Sequence, residues 1–211
     1  MNGTTLSARR RRRPDAGEAG SPALLERASD ADLLRHPDQP AAFAVLYDRY
    51  AARVMGYCRA RIASEADAEE IAAQALAKAW AGFPPDHRGT FRAWLFTIAH
   101  HTIVDYIRQA ARSPGFVGEA ALHALESPVP RPDDASIAAE TRAELAAAIA
   151  TLPTDQQHAI ALRVAGLKGR EVAEVMGRSH EAVKMLQFRA IASLRETLAP
   201  STPSAGEESS R

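Results

Sequence analysis

The apolar positions of this chain recur at helical rather than strand spacing. From Asp30 onward, Phe43, Leu46, Tyr47, Tyr50, Val54 and Cys58 keep the i, i+3 or i+4, i+7 rhythm of one helix face, and Pro40 stands where a first helical turn tolerates it. Ser64 is placed to cap a second helix reaching about Trp80, and its opening turns carry Glu65, Asp67, Glu69 and Glu70, acids that suit the positive end of a helix dipole. Gly82, Pro84, Pro85 and Gly89 break the pattern. Phe91 then opens a third helix toward Arg112, in which Phe91, Trp94, Leu95, Ile98 and Thr102 can face a core while His101, Asp105, Arg108 and Arg112 line the other side.

Periodicity fails between Ser113 and about Ser136, where four prolines and an acidic balance predict a flexible linker with at most one helical turn around Ala120 to Leu125. A second helical block follows, with helices expected near 137–151, 154–165, 170–176 and 180–198. Its last two form a helix-turn-helix pattern. Val172, Ala173 and Met176 give the first an apolar face, Gly177 permits a tight turn, and Ser179 suits the cap of the next. Val183, Leu186, Ala190 and Leu194 form the second helix's buried stripe, leaving Glu181, Lys184, Met185, Phe188 and Arg195 outward with His180 at the N-terminal end, where recognition helices reach base edges. An ordinary helical hairpin would share the periodicity, but the Gly-x-Ser turn and the small Ala173 at the crossing favour DNA binding.

Composition bounds these expectations. The chain is rich in Ala and Leu, which favours an all-α fold, and at 211 residues it fits one or two domains. Lys plus Arg equals Asp plus Glu at 26 each, so any attraction to nucleic acid must come from local segregation of charge. One cysteine, Cys58, excludes an intramolecular disulfide and a Cys-rich zinc site, and its apolar helical setting predicts a buried thiol. The arm over residues 1–28, with five consecutive arginines from Arg9 to Arg13, and the tail after Pro200 are expected to be disordered. No apolar run reaches the ~18 residues of a membrane span, and the N-terminal charge is not followed by an apolar stretch, so a cytoplasmic protein is expected.

Taken together, ADAEEIAAQALAKAW, FRAWLFTIAHHTIVDYIR and LPTDQQHAIALRVAGLKGREVAEVMGRSHEAVKMLQFRA, in this order and spacing, resemble the extracytoplasmic-function group of the sigma-70 family. The likeness covers about residues 30–112 and 137–198. It implies two helical domains, a region 2 bundle over 29–112 and a region 4 helix-turn-helix over 137–198, joined by the 113–136 linker and flanked by the 1–28 arm and the 199–211 tail. It also implies a protein that binds core RNA polymerase, recognises the −35 and −10 promoter elements and promotes DNA melting.

On the same resemblance, Asp67, Glu69, Glu70 and Gln74 would meet the clamp of the largest polymerase subunit. Arg88, Arg92, Trp94, His100, His101, Asp105, Arg108 and Arg112 would serve the −10 element, and His180, Glu181, Lys184, Met185, Phe188 and Arg189 the −35 element. Promoter DNA, core polymerase and an anti-sigma protein are the implied partners. The chain would be monomeric outside the holoenzyme, without cofactor, metal or enzymatic activity. Melting needs no catalytic group, because binding unstacked bases and single-strand phosphates offsets an unpairing cost of a few kcal/mol.

The chain departs from the family pattern at Ala73 and Gln74, where a Gln-Glu pair is usual, and at His101, where asparagine is common. Met185-Leu186-Gln187 replaces the usual Ser-Arg-Leu, so the −35 sequence does not follow from the resemblance. Two other function classes fit the residues less well. A stand-alone helix-turn-helix regulator would leave the acidic and aromatic helices without a purpose. A small helical enzyme would rest on scattered histidines, with no HExxH or paired carboxylates to accompany them.

Overall fold

The structure is a computed structural model describing residues 22–84, 89–110, 112 and 137–199. All regular structure among them is helical: α1 (Pro22–Arg27), α2 (Asp30–Leu33), α3 (Gln39–Arg59), α4 (Glu65–Ala81), α5 (Phe91–Ala110), α6 (Ile137–Ala150), α7 (Thr154–Val164), α8 (Gly169–Met176) and α9 (His180–Leu198). The bounds fall within a residue or two of those the periodicity predicts, apart from α1 and α2. The 113–136 linker, most of the N-terminal arm and nearly all of the C-terminal tail lie outside the described residues.

Local chemistry accounts for the boundaries. Asp38 caps α3 through a hydrogen bond from the Ala41 amide, with a proline in the first turn. Ser64 accepts from the Asp67 amide and starts α4 as expected. α8 ends at Gly177, whose φ of 60° lies in the left-handed region. There the Arg178 amide reaches back 3.0 Å to the Ala173 carbonyl, satisfying an orphan helix acceptor. Ser179 then accepts from the Ala182 amide at 3.1 Å and starts α9. This left-handed turn followed by a capped start is what sets α8 and α9 as a helix-turn-helix.

The first unit packs α3, α4 and α5 around Leu46, Val54, Tyr57, Cys58, Ile71, Phe91, Leu95, Phe96 and Ile103. Burying each large apolar side chain contributes on the order of 1.5–3 kcal/mol. Ala68, Ala72, Ala75 and Ala79 form an i, i+4, i+7, i+11 stripe on α4 with no exposure, letting α3 and α5 approach its backbone closely. Edge and tilted aromatic pairs, Tyr50 with Phe91 and Tyr57 with Phe96, each at 5.6 Å, tie α3 to α5.

In the second unit α9 lies across α7 and α8, with Val172, Val175, Leu162, Leu167, Val183 and Ala190 inside. One buried cluster runs through both units, because α8 packs directly against α5.

Two expectations need correction. Residues 22–27, assigned to a disordered arm, form α1, because Leu25 docks on the core and Arg49 binds the Glu26 and Ala28 carbonyls and the Asp30 carboxylate. Tyr47, read as part of the α3 core stripe, is 46% exposed; it sits about 100° around the helix from Leu46, and Tyr57 completes the buried face instead. Cys58 is buried as expected, and burial raises its thiol to about 12, leaving it protonated.

Candidate nucleic-acid interface

Three surfaces carry the residues singled out from the sequence, on α9, α5 and α4. On α9, His180, Glu181, Lys184, Met185, Phe188 and Arg189 are all exposed, while Val183 and Ala190 anchor the opposite face. Phe188 is 67% and Met185 48% exposed, so this helix presents apolar groups between two cations rather than a plain solvated face. His180 leans on the start of α8: a Cβ added at Gly169 would stand 2.9 Å from its Nε2. A helix held by a packed neighbour, with cations and apolar groups outward, can enter a major groove and meet both phosphates and base edges.

On α5, His101, Asp105 and Arg108 are exposed at i, i+4, i+7, one stripe, and Arg112, in a turn past the helix end, is exposed as well; the helix stops short of Arg112, to which the periodicity carried it. Trp94 is half-buried, its ring 5.6 Å from that of Phe91 and close to Gly82. Arg88 lies outside the described residues. Arg92 and His100 do not join the exposed stripe; both turn toward the second unit. Arg92 donates to Glu171 of α8 through Nε at 3.2 Å and Nη2 at 2.6 Å. His100 stands between Tyr57 of α3 and His158 of α7, with its ring 4.3 Å from that of His158.

The buried histidines are held neutral. Desolvation, with the positive field of Arg61, lowers His158 to about 3; desolvation, then His101 and Arg61, lower His100 to about 4. Burial likewise keeps the Tyr57 hydroxyl protonated, so it can donate to His158 Nε2.

The acidic surface lies on α4. Glu69 and Glu70 are exposed; Glu69 bridges to Arg59 at 3.1 Å, and Glu70 accepts from Gln74 at 3.0 Å. Asp67 is half-buried and accepts a hydrogen bond from the Tyr106 hydroxyl at 2.7 Å, which makes it partly a packing residue. Among the described residues no group of three or more His, Cys, Asp and Glu could hold a metal ion, and no helix is long and apolar enough to cross a membrane.

Sequence reasoning missed the contact between the two units, made by Thr90, Arg92, Tyr57, His158 and Glu171. The only local signal was Glu171 at the third position of α8, which reads as a cap; its carboxylate does accept the Lys168 amide at 2.7 Å.

Comparisons with known proteins identify the two units. The Sigma-70 region 2 family model matches residues 46–113, and the Sigma-70, region 4 model matches residues 142–194. The chain is 33% identical over 194 residues to the ECF RNA polymerase sigma factor BldN of Streptomyces coelicolor, spanning 89% of this chain and 70% of that protein. It is 35% identical over 188 residues to the ECF RNA polymerase sigma factor ShbA of Streptomyces griseus subsp. griseus, spanning 82% and 92%.

Among solved structures the fold is similar to CnrH in complex with the cytosolic domain of CnrY, with a TM-score of 0.53, 25% identity and coverage of 80% of this chain and 94% of that one. It is also similar in fold to the sigma factor RpoE in complex with the anti-sigma factor NepR from Bartonella quintana, with a TM-score of 0.60, 22% identity and coverage of 74% and 96%.

Proposed function

The chain belongs to the extracytoplasmic-function group of the sigma-70 family, and on that premise we propose how its two units divide promoter recognition. As a sigma factor it binds core RNA polymerase, recognises the −35 and −10 elements and promotes melting. In our reading the outer face of α9 reads the −35 element: Lys184 and Arg189 meet phosphates, and His180, Met185 and Phe188 approach base edges and thymine methyl groups. The α5 stripe of His101, Asp105 and Arg108, with Arg112 just past the helix end, tracks the −10 strand, with Trp94 and, once freed, Arg92 and His100 beside it. The charged face of α4, through Glu69, Glu70 and Gln74 with Asp67 behind them, docks on basic residues of the polymerase clamp.

The observation that supports this division is the pair of separate exposed stripes, one on α5 and one on α9, each backed by a packed core. A stand-alone duplex-binding regulator would use α9 alone and leave the α4 and α5 surfaces idle. The protein works without catalytic chemistry, in the cytoplasm where the polymerase is. A protein that occludes the α4 and α5 surfaces would act as its anti-sigma partner. The test is co-purification of the full chain with bacterial core RNA polymerase: an equimolar complex is expected, and a chain that binds promoter-bearing duplex but not core would be a regulator instead.

A further inference from the structure

We propose that Glu171 is the bolt of a self-inhibiting latch: it occupies the guanidinium of Arg92 as a phosphate would, and so holds the helix-turn-helix unit against the −10 surface. This rests on the reading of α5 and α9 as the −10 and −35 surfaces.

The Glu171 carboxylate is buried and takes hydrogen bonds from four donors. The Lys168 amide belongs to its own helix start. The Thr90 hydroxyl at 2.6 Å, Arg92 Nε at 3.2 Å and Arg92 Nη2 at 2.6 Å come from the beginning of α5. Side-chain exposure is 19% for Arg92 and 8% for Glu171, so water screens the pair only weakly. Burial alone would raise the Glu171 carboxyl, but the hydrogen bonds from Arg92, Thr90 and the Lys168 amide outweigh it and hold the pKa below its ordinary value, keeping the group ionised. Two N–H donors of one guanidinium on the two oxygens of an anion is the geometry arginine also offers a phosphate. Arg92 cannot make that fork to Glu171 and to a nucleic-acid strand at once.

A second acid reinforces the screen. Gly89, just before α5, has φ of 150°, and a Cβ there would lie 3.0 Å from Glu174 Oε1. Both acids of α8, the buried Glu171 and the exposed Glu174, thus border the segment that leads into the −10 helix. Tyr57 and His158 close the same interface deeper in.

Size makes the closed form unproductive. The two promoter elements lie roughly 25 base pairs apart, about 85 Å along B-DNA at about 3.4 Å per pair. A compact chain of 211 residues has a radius of gyration of about 17 Å and is roughly 45 Å across. Engaging both elements therefore requires α8 and α9 to leave α5, and the latch sets how often they do.

The test uses the full chain with dyes at Asp48→Cys and Glu196→Cys, both exposed positions on opposite units, while buried Cys58 stays unlabelled. Single-molecule energy transfer is read with and without Glu171→Gln. Gln at this helix position still accepts the Lys168 amide, so the cap persists while the charge is lost. The unaltered latch gives a dominant high-transfer population that core RNA polymerase converts to low transfer. Glu171→Gln raises the open-to-closed ratio about tenfold and tightens core binding by up to the same factor, since apparent affinity scales with the competent fraction. Glu171→Asp, which keeps the charge but falls short of the Arg92 fork, moves the ratio the same way.

An unmoved transfer distribution in both variants, beside normal core binding, overturns the latch alone. Opening by Glu171→Gln with no core binding by any form overturns the functional reading, and the inhibitory meaning of the latch with it.

Discussion

Tyr57 and His158 stand 101 residues apart in sequence and are joined by a buried hydrogen bond, their rings stacked at 5.8 Å between α3 and α7. His100 on α5 completes the cluster, and Arg61, His101 and Arg178 are the charged or titratable groups whose fields reach it. Neither histidine can gain a proton without placing positive charge beside Arg61. The cluster is therefore a neutral seam between the two units, and it fixes how the fold responds to acid.

Stability is expected to fall as pH drops from about 6.5 toward 4. His158 and His100 have folded values of about 3 and 4 against 6.5 when exposed, so in that window the unfolded chain binds more protons than the native one, and native stability rises with pH. The contribution is complete above 6.5. Thermal melts from pH 7.5 to 4.5 should show the decline, and His158→Gln should flatten it; a wild-type midpoint that does not move would contradict the cluster's role.

Replacing Lys184 and Arg189 by alanine should weaken promoter binding by the holoenzyme and lower its salt dependence. Each lost cation removes roughly one counterion-release contribution, a change in the log–log slope of about 0.9. Both side chains are exposed, so the fold should be unaffected. Binding titrations across a salt series provide the measurement, and an unaltered slope would remove these residues from phosphate contact.

Charge reversal at Glu69 and Glu70 should reduce core polymerase affinity by about tenfold or more, through lost attraction and new repulsion at the clamp. Among the described residues the ion pair disturbed is the exposed one between Arg59 and Glu69, worth at most about 1 kcal/mol. The melting temperature should therefore hold nearly constant. Fluorescence anisotropy with core enzyme decides it, and retained affinity in a folded variant would place the clamp contact elsewhere.

Trp94→Ala should cost roughly 1–3 kcal/mol of stability, less than a fully buried aromatic, because the ring is only half-buried against Phe91. It should also reduce strand opening. Permanganate reactivity at a promoter, measured well below the variant's melting point, separates the two effects; undiminished reactivity would leave Trp94 a packing residue.

Much of this architecture was legible in the chain because its signals are local. Helical spacing located α3 to α9, and Ser64, Gly177 and Ser179 marked boundaries through hydrogen bonds made within a few residues. The exposed stripes on α5 and α9 followed from the same periodicity. Tyr47 differs from expectation because an aromatic one position from Leu46 counts as apolar in a window, while its direction is set by the helix turn. Glu171 carries no expectation in the sequence, because its main partner, Arg92, is 79 residues away. His158 sits in the polar run Thr154 to His158, so nothing nearby announced a buried ring. Contacts of that range depend on how the units pack, which no short pattern encodes.

Whether this protein selects promoters is decided by sequencing the 5′ ends of transcripts made by purified bacterial core RNA polymerase with it on genomic DNA. A discrete set of start sites sharing upstream elements near −10 and −35 is expected, present only when the protein is added and lost with Lys184→Ala and Arg189→Ala together. Start sites identical with and without the protein would contradict it.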